Sequence, residues 1–271
     1  MLQEMRTMIP DFLIQESFGL YCTAARTHIS SHQLADFRKC PALFWKRRQG
    51  LLQDEDRHAF LLGRAAHSLI LEGRDVFENA YAFGGPINPK TGKPFGSQTK
   101  AYGDWAAQQG KTTLTDEETR LVVQLANSVR SHDGARLLLS EGMAEGVVRE
   151  EYCGLPCQIR IDWFNPRAGI VDLKTCDDLT WFEADARRYG YAYQMAFYRA
   201  VMAKAIHSPL PVHMIAVEKK EPFRCGVWLL DEQVLNHCQR ENEAAMERLK
   251  SCLAALSFPT GYEERRVFDA V

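Results

Sequence analysis

Two acids interrupt otherwise apolar, β-branched runs in the middle of the chain: Asp162 in Ile159-Arg160-Ile161-Asp162-Trp163, and Asp172 in Ile170-Val171-Asp172-Leu173-Lys174. A charge in such a run is unexpected unless it is paired or bound. Successive side chains of a strand point to opposite faces, so Asp172 and Lys174 share one face while Val171 and Leu173 share the other. A hairpin then brings Asp162 beside Asp172. Two carboxylates forced together repel unless a cation lies between them. Two Asp and one Lys on adjoining strands therefore point to a divalent-metal site with an ammonium beside the attacking water, and oxygen ligands favour Mg²⁺ or Mn²⁺. The plain alternative is a surface salt bridge within an ordinary Asp-x-Lys strand.

The elements that must hold these residues are three strands with tight connections. Glu150–Cys153 closes the first, Gly154-Leu155-Pro156 turns, and Cys157–Phe164 forms the second. Asn165-Pro166-Arg167 turns again, and Gly169–Thr175 forms the third. Glu150 or Glu151, on the neighbouring strand, is expected to reach the metal through water.

Upstream, residues 1–28 are weakly patterned and are expected to be partly ordered. Ser30 and Ser31 open a helix whose apolar face is Leu34, Phe37, Leu43 and Phe44, interrupted at Pro41 and ending in Lys46-Arg47-Arg48. Arg57 to Glu72 predicts one strong helix carrying Phe60, Leu61, Ala65, Leu69 and Leu71, with His67 among these apolar neighbours. Tyr81–Phe83 reads as a short strand. Residues 84–100 read as a Gly/Pro-rich loop with Lys90, Lys93 and Lys100, able to follow a phosphate backbone or simply solvated. Ser97 is expected to cap a helix containing Tyr102 and Trp105. Thr115 with Asp116, Glu117 and Glu118 starts the next, and a short helix spans Ala135–Ser140.

Downstream, Trp181 to Tyr198 carries Tyr191, Gln194, Met195 and Tyr198 on one helix face. Strands are expected at Val212–Glu218 and Cys225–Leu230 around a Glu221-Pro222 turn, and a long amphipathic helix from Asp231 to about Leu253.

The bulk properties set limits. With 271 residues, 46% hydrophobic and 25% charged, the chain has ample core. Its formal net charge of −2 announces no nucleic-acid partner, so any basic surface is local. No run is long enough to span a membrane and no signal-peptide pattern opens the chain, so a cytoplasmic location is expected. Eight scattered cysteines without a C-x-x-C read as reduced thiols.

The order of these residues resembles a known group. Asp162, then Asp172-Leu173-Lys174, is similar to the PD-(D/E)xK nuclease core. Gly63-x-x-x-His67 before it, Gln194-x-x-x-Tyr198 after it, and the opening Ile29-Ser30, Leu34, Phe37, Cys40-Pro41 and Phe44 resemble its RecB/RecE branch. The layout is similar to RecE and lambda-type phage recombination exonucleases. The resemblance implies an α/β fold, a restriction-endonuclease-like core with a mixed central sheet flanked by helices. It implies one nuclease domain over residues 1–271: an N-terminal segment 1–28, a motif-bearing core 29–205, and C-terminal strands and helix 206–271.

It also implies roles. Asp162, Asp172, the Leu173 carbonyl and His67 would ligate metal, and Asp162, Asp172 and Lys174 would be catalytic. Gln194 and Tyr198 would hold the motif helix against site and DNA, and Arg26 and Ser31 would hold a terminal 5′ phosphate. Mg²⁺ is the implied cofactor, with Mn²⁺ accepted because of the His ligand. The implied activity is 5′→3′ exonuclease action on double-stranded DNA ends, leaving 3′ tails for a single-strand annealing protein, by a homo-oligomeric ring, a trimer by resemblance. Relatives with an iron–sulfur cluster use one cysteine of a Cys-Pro motif and three near the C-terminus. Cys40 is present, but Cys238 and Cys252 do not make the later triplet, so no cluster is expected. An endonuclease of the same superfamily and a non-catalytic DNA-binding protein on this fold are the alternatives.

Overall fold

The computed structural model describes residues 11–52 and 58–267. The chain's first ten residues, the expected helix start at Arg57 and the last four residues lie outside the described ones.

Five strands form the main sheet: β3 (Met143–Tyr152), β4 (Leu155–Asn165), β5 (Gly169–Cys176), β6 (Val212–Glu218) and β7 (Cys225–Leu229), side by side in that order. A small parallel pair, β1 (Tyr81–Phe83) and β2 (Thr112–Leu114), lies apart. In the main sheet β3, β4 and β5 run antiparallel, β5 and β6 parallel, and β6 and β7 antiparallel. The parallel step is made by a crossover through α9 (Phe182–Tyr189) and α10 (Tyr191–Ile206).

Helices cover both faces. On one, α2 (Ser31–Lys39), α3 (Pro41–Arg48), α10 and α11 (Glu232–Ala255) supply Leu34, Phe37, Phe44, Met195, Phe197, Leu235 and Met246 to the main core. On the other, α7 (Asp116–Ser131) and α8 (Asp133–Leu138) pack Leu125, Val129 and Leu138 against Val171, Leu173, Ile215 and Val217. A third apolar cluster joins α4 (His58–His67), α5 (Arg74–Ala80), β1, β2 and α7. This is a mixed sheet between helices, the architecture that the resemblance to the PD-(D/E)xK core implies.

Local chemistry explains the boundaries. Ser30 with Gln33, and Thr115 with Glu118, close full capping boxes at α2 and α7. Pro41 takes the first position of α3, where its missing N–H costs nothing. Asp231 caps α11 through Gln233 and Val234.

Four expectations are corrected. The helix through His67 stops being α-helical there and continues as one π-helical turn, Ser68–Glu72, ended by Gly73 at φ +95°. Thr99, not Ser97, caps α6 (Lys100–Gln109), because its hydroxyl reaches the Tyr102 N–H. The Trp181–Tyr198 stretch is two helices, because Gly190 adopts the left-handed conformation (φ +73°) that ends α9. The β3–β4 hairpin turns on Cys153-Gly154, both at positive φ, so Leu155 and Pro156 belong to β4.

A candidate metal centre where the sheet opens

The ladder between β4 and β5 holds for three pairs only, ending at Trp163↔Val171, whereas β5 and β6 stay paired for seven. Past that point the Leu173 N–H finds no strand carbonyl. The Asp162 carboxylate takes it instead, Oδ2 accepting at 2.8 Å. The strands therefore fork at the two acids.

A second irregularity sits on the other side of Asp162. Cys157, Ile159 and Ile161 of β4 face the main core, yet beyond Asp162 it is Phe164 that does, while Trp163 packs in the opposite core. On β3 the same reversal separates Val148 from Met143. The register is unchanged across it, so no residue is inserted. The reversal centres on Glu145, at φ +57°, which the register places opposite Asp162.

Three side chains from three elements meet at this fork. His67 Nδ1, at the end of α4, lies 3.6 Å from Asp162 Oδ2. Glu145 comes from β3. Ligand atoms of His67, Glu145 and Asp162 all lie within 4.8 Å of one another, the one such group of three among the described residues. Glu145 is also tied to Arg160, 2.9 Å away. Burial together with the Asp162 carboxylate pushes Glu145 from its ordinary 4.5 up to about 8.

Alongside, β5 presents Asp172 and Lys174 on one face, as the period-2 rule predicts. Asp172 is 1% exposed. The Lys174 ammonium donates to its Oδ1 at 3.0 Å and lies 2.8 Å from Oδ2. Lys174 also donates to Gln194 Oε1 (3.3 Å), Gln194 Nε2 donates to the Tyr198 hydroxyl (3.2 Å), and the ammonium stands 4.9 Å from the centre of the Tyr191 ring. Burial pushes Asp172 up to about 6 even with Lys174 beside it, the Asp162 charge adding to the effect. Burial pulls Lys174 down, but Asp172 and Asp162 outweigh it and the net shift is upward. Three carboxylates, Glu145, Asp162 and Asp172, thus share this corner with the Lys174 ammonium and the Arg160 guanidinium, an excess of acidic groups.

That excess suits a divalent cation. The donor set of one imidazole nitrogen and two carboxylates fits such a cation. Asp172 is turned toward Lys174 and stands beside this trio.

The remaining expected residues are distributed as follows. Leu173 gives its backbone N–H to Asp162 and its side chain to the second core. Tyr198 is buried and reaches the site through Gln194. Arg26 is exposed, and its carbonyl accepts from Arg48 Nη2 at 2.9 Å. Ser31 is buried, its hydroxyl unpaired among the described residues. Glu150 and Glu151 sit opposite Cys157 and Pro156, at the far end of the hairpin from Asp162. There they line a shallow cleft of about 430 Å³ with His28, Arg149 and Pro156.

Glu145 was not anticipated, and turn placement is the reason. A turn on Gly154–Pro156 sets Val148 across from Asp162. The turn actually formed, on Cys153-Gly154, sets Glu145 there.

Residues 30–269 match the family described as "PDDEXK-like domain of unknown function (DUF3799)". The chain belongs to this family. No curated protein matches the chain in sequence. Among solved structures, a Eubacterium rectale protein provisionally named an exonuclease superposes with a TM-score of 0.70 at 18% identity, covering 95% of this chain and 96% of the other. LHK-Exo in complex with dAMP is matched over 59% of this chain and 85% of its own, at 13% identity and a TM-score of 0.32. The first shares the fold of this DUF3799 chain, and the second is too distant to carry an argument. No helix among the described residues is long and apolar enough to cross a membrane.

Proposed function

We propose that this DUF3799 protein is a metal-dependent exonuclease that degrades one strand of duplex DNA from its 5′ end and leaves a 3′ single-strand tail for annealing. The observation that carries the reading is the meeting of His67, Glu145 and Asp162 within 4.8 Å beside the buried Asp172–Lys174 pair. The exonuclease name of the Eubacterium rectale protein of like fold is consistent with it.

His67, Glu145 and Asp162 would hold the ion, with Asp172 at its side. Such an ion lowers the pKa of a water and offsets charge on a phosphodiester. The chain's own part falls to Lys174. Its ammonium is held by Asp172 and Gln194, and the carboxylates keep it protonated. From there it orients the attacking water and stabilises charge growing on the phosphoryl oxygens. Gln194, braced by Tyr198, positions that ammonium. Of the two residues expected at the 5′ phosphate, the exposed Arg26 is proposed for it, the Ser31 hydroxyl being enclosed, and a trimeric ring would carry the duplex through a basic channel despite the net charge.

The deciding experiment uses duplexes labelled on one end of one strand, with and without a 5′ phosphate, in Mg²⁺. Loss of the 5′-labelled nucleotide, faster with the phosphate and absent in EDTA, is expected. Cleavage that persists in EDTA, or release from the 3′ end first, overturns the reading. Cutting of a covalently closed circle would make the protein an endonuclease instead.

A further inference from the structure

Phe18 begins α1 (Phe18–Ala24), a helix that buries none of its seven residues. Phe18 is 55% exposed, so burial does not account for a large aromatic there. It lies against the Arg160 guanidinium, 5.1 Å from ring centre to Cζ, with the Tyr21 ring 6.5 Å away and inclined by 21°. Arg160 in turn is the ion-pair partner of Glu145 at 2.9 Å. One side chain thus separates the ring from the metal cluster.

The segment around the ring is fixed by ties that do not use it. Ile14 and Val147 exchange both backbone hydrogen bonds, at 2.8 and 3.0 Å. Glu16 takes both arms of the Arg149 guanidinium. Ser17 caps the helix through the Leu20 N–H, and Gln158 Nε2 donates to the Tyr21 carbonyl at 3.0 Å. A rigidly carried aromatic face, open to solvent and backed by a cation, suits a flat aromatic partner.

Resting on the nuclease reading, we infer that Phe18 is a stacking platform for the nucleobase next to the scissile phosphate. Every base offers a π-face, so the platform holds the strand without selecting sequence. Arg160 serves twice in this arrangement, seating the ring and pairing with Glu145, and so couples the position of the base to the position of a metal ligand.

The test combines steady-state digestion of a 5′-phosphorylated duplex with the fluorescence of 2-aminopurine placed at its first two 5′ positions, the latter in full-length Lys174→Met protein with Mg²⁺. Phe18→Ala should raise KM about 5- to 150-fold, the range for loss of one stacked base, with kcat little changed. Phe18→Trp should retain the KM of the parent, and Phe18→Leu should resemble Phe18→Ala. The 2-aminopurine emission should be quenched on binding when Phe18 is present and recover with Phe18→Ala. Wild-type KM and quenching in Phe18→Ala overturn the platform while leaving the nuclease intact. Wild-type behaviour in Phe18→Leu shows apolar contact instead of stacking and overturns it equally, even where Phe18→Ala is poorly folded. A wild-type protein that degrades no DNA removes the nuclease reading and the platform with it.

Discussion

Replacing Glu145 by Gln should change how stability depends on pH, in a direction the metal reverses. In the unfolded chain Glu145 ionises near 4.5, while in the fold it keeps its proton to about 8. Between those values the native state binds more protons than the unfolded state, so stability falls as pH rises. Asp172 contributes a similar loss lower down, ending near its value of about 6. From pH 6 to pH 8 the loss is therefore dominated by Glu145, with the half-buried His213, pulled below its ordinary 6.5 by burial, contributing in the opposite sense at the lower edge. At about 1.36 kcal/mol per pH unit, tapering as Glu145 itself ionises toward pH 8, this predicts a loss of about 2 kcal/mol across that window. Urea melts in EDTA at half-unit pH steps would show it. Glu145→Gln cannot ionise and should flatten the curve above pH 6. Adding Mn²⁺ should reverse the wild-type slope, because the cation binds the carboxylate form of the folded state and its stabilising effect grows as protons leave. A flat wild-type curve in EDTA, or the same slope in Glu145→Gln, would refute the claim that Glu145 is held protonated against Asp162.

Other outcomes follow from the same geometry. Lys174→Met should cut the rate about 10²- to 10³-fold, the usual cost of removing one donor aimed at charge developing in the transition state, yet leave Mn²⁺ affinity by calorimetry near wild type. Cleavage at the wild-type rate would remove Lys174 from the chemistry. Gln194→Ala takes one acceptor from the Lys174 ammonium; a hydrogen bond to a charged group is worth about 1.5–3 kcal/mol, so kcat should fall about 10- to 100-fold with KM unchanged. An effect confined to KM would contradict a positioning role. Gly169→Ala should destabilise the fold by about 2–5 kcal/mol, through left-handed strain and a disturbed hydrogen bond. The position is at φ +93°, an added Cβ would lie 2.3 Å from the Pro211 carbonyl oxygen, and that oxygen also accepts the Ile170 N–H at 3.0 Å. Gly92→Ala, at φ +65° with nothing within 4 Å, should cost only about 1 kcal/mol of backbone strain. Equal losses in the two variants would show that the Pro211 contact does not matter.

Much of the site was legible because chemistry violates local pattern. Asp162 and Asp172 stand out as charges in β-branched runs, and the period-2 rule correctly put Asp172 and Lys174 on one face. Helical spacing paired Gln194 with Tyr198, and the hydrogen bond between them is present. What stayed hidden depends on backbone events that periodicity does not encode. The reversal at Glu145 breaks alternation without shifting register, so no count of residues reveals it. His67 was legible only through the family resemblance, since nothing in the helical pattern itself encodes its approach to Asp162. The break at Gly190 could have been read from the preference of helix ends for glycine. The aromatic stripe that continues past it masked the signal.

The carboxylate of Asp162 stands in for a missing rung, since its Oδ2 is what answers the Leu173 N–H where β4 and β5 part. An inert protein for trapping DNA would ordinarily be made by truncating such a residue to alanine. Here that truncation orphans a backbone donor, at about 1–3 kcal/mol, and lets the splayed strands collapse or slide. Asparagine keeps an oxygen for that donor while surrendering the charge. The gap between Asp162→Ala and Asp162→Asn thus weighs the scaffold's debt to this side chain apart from its chemistry.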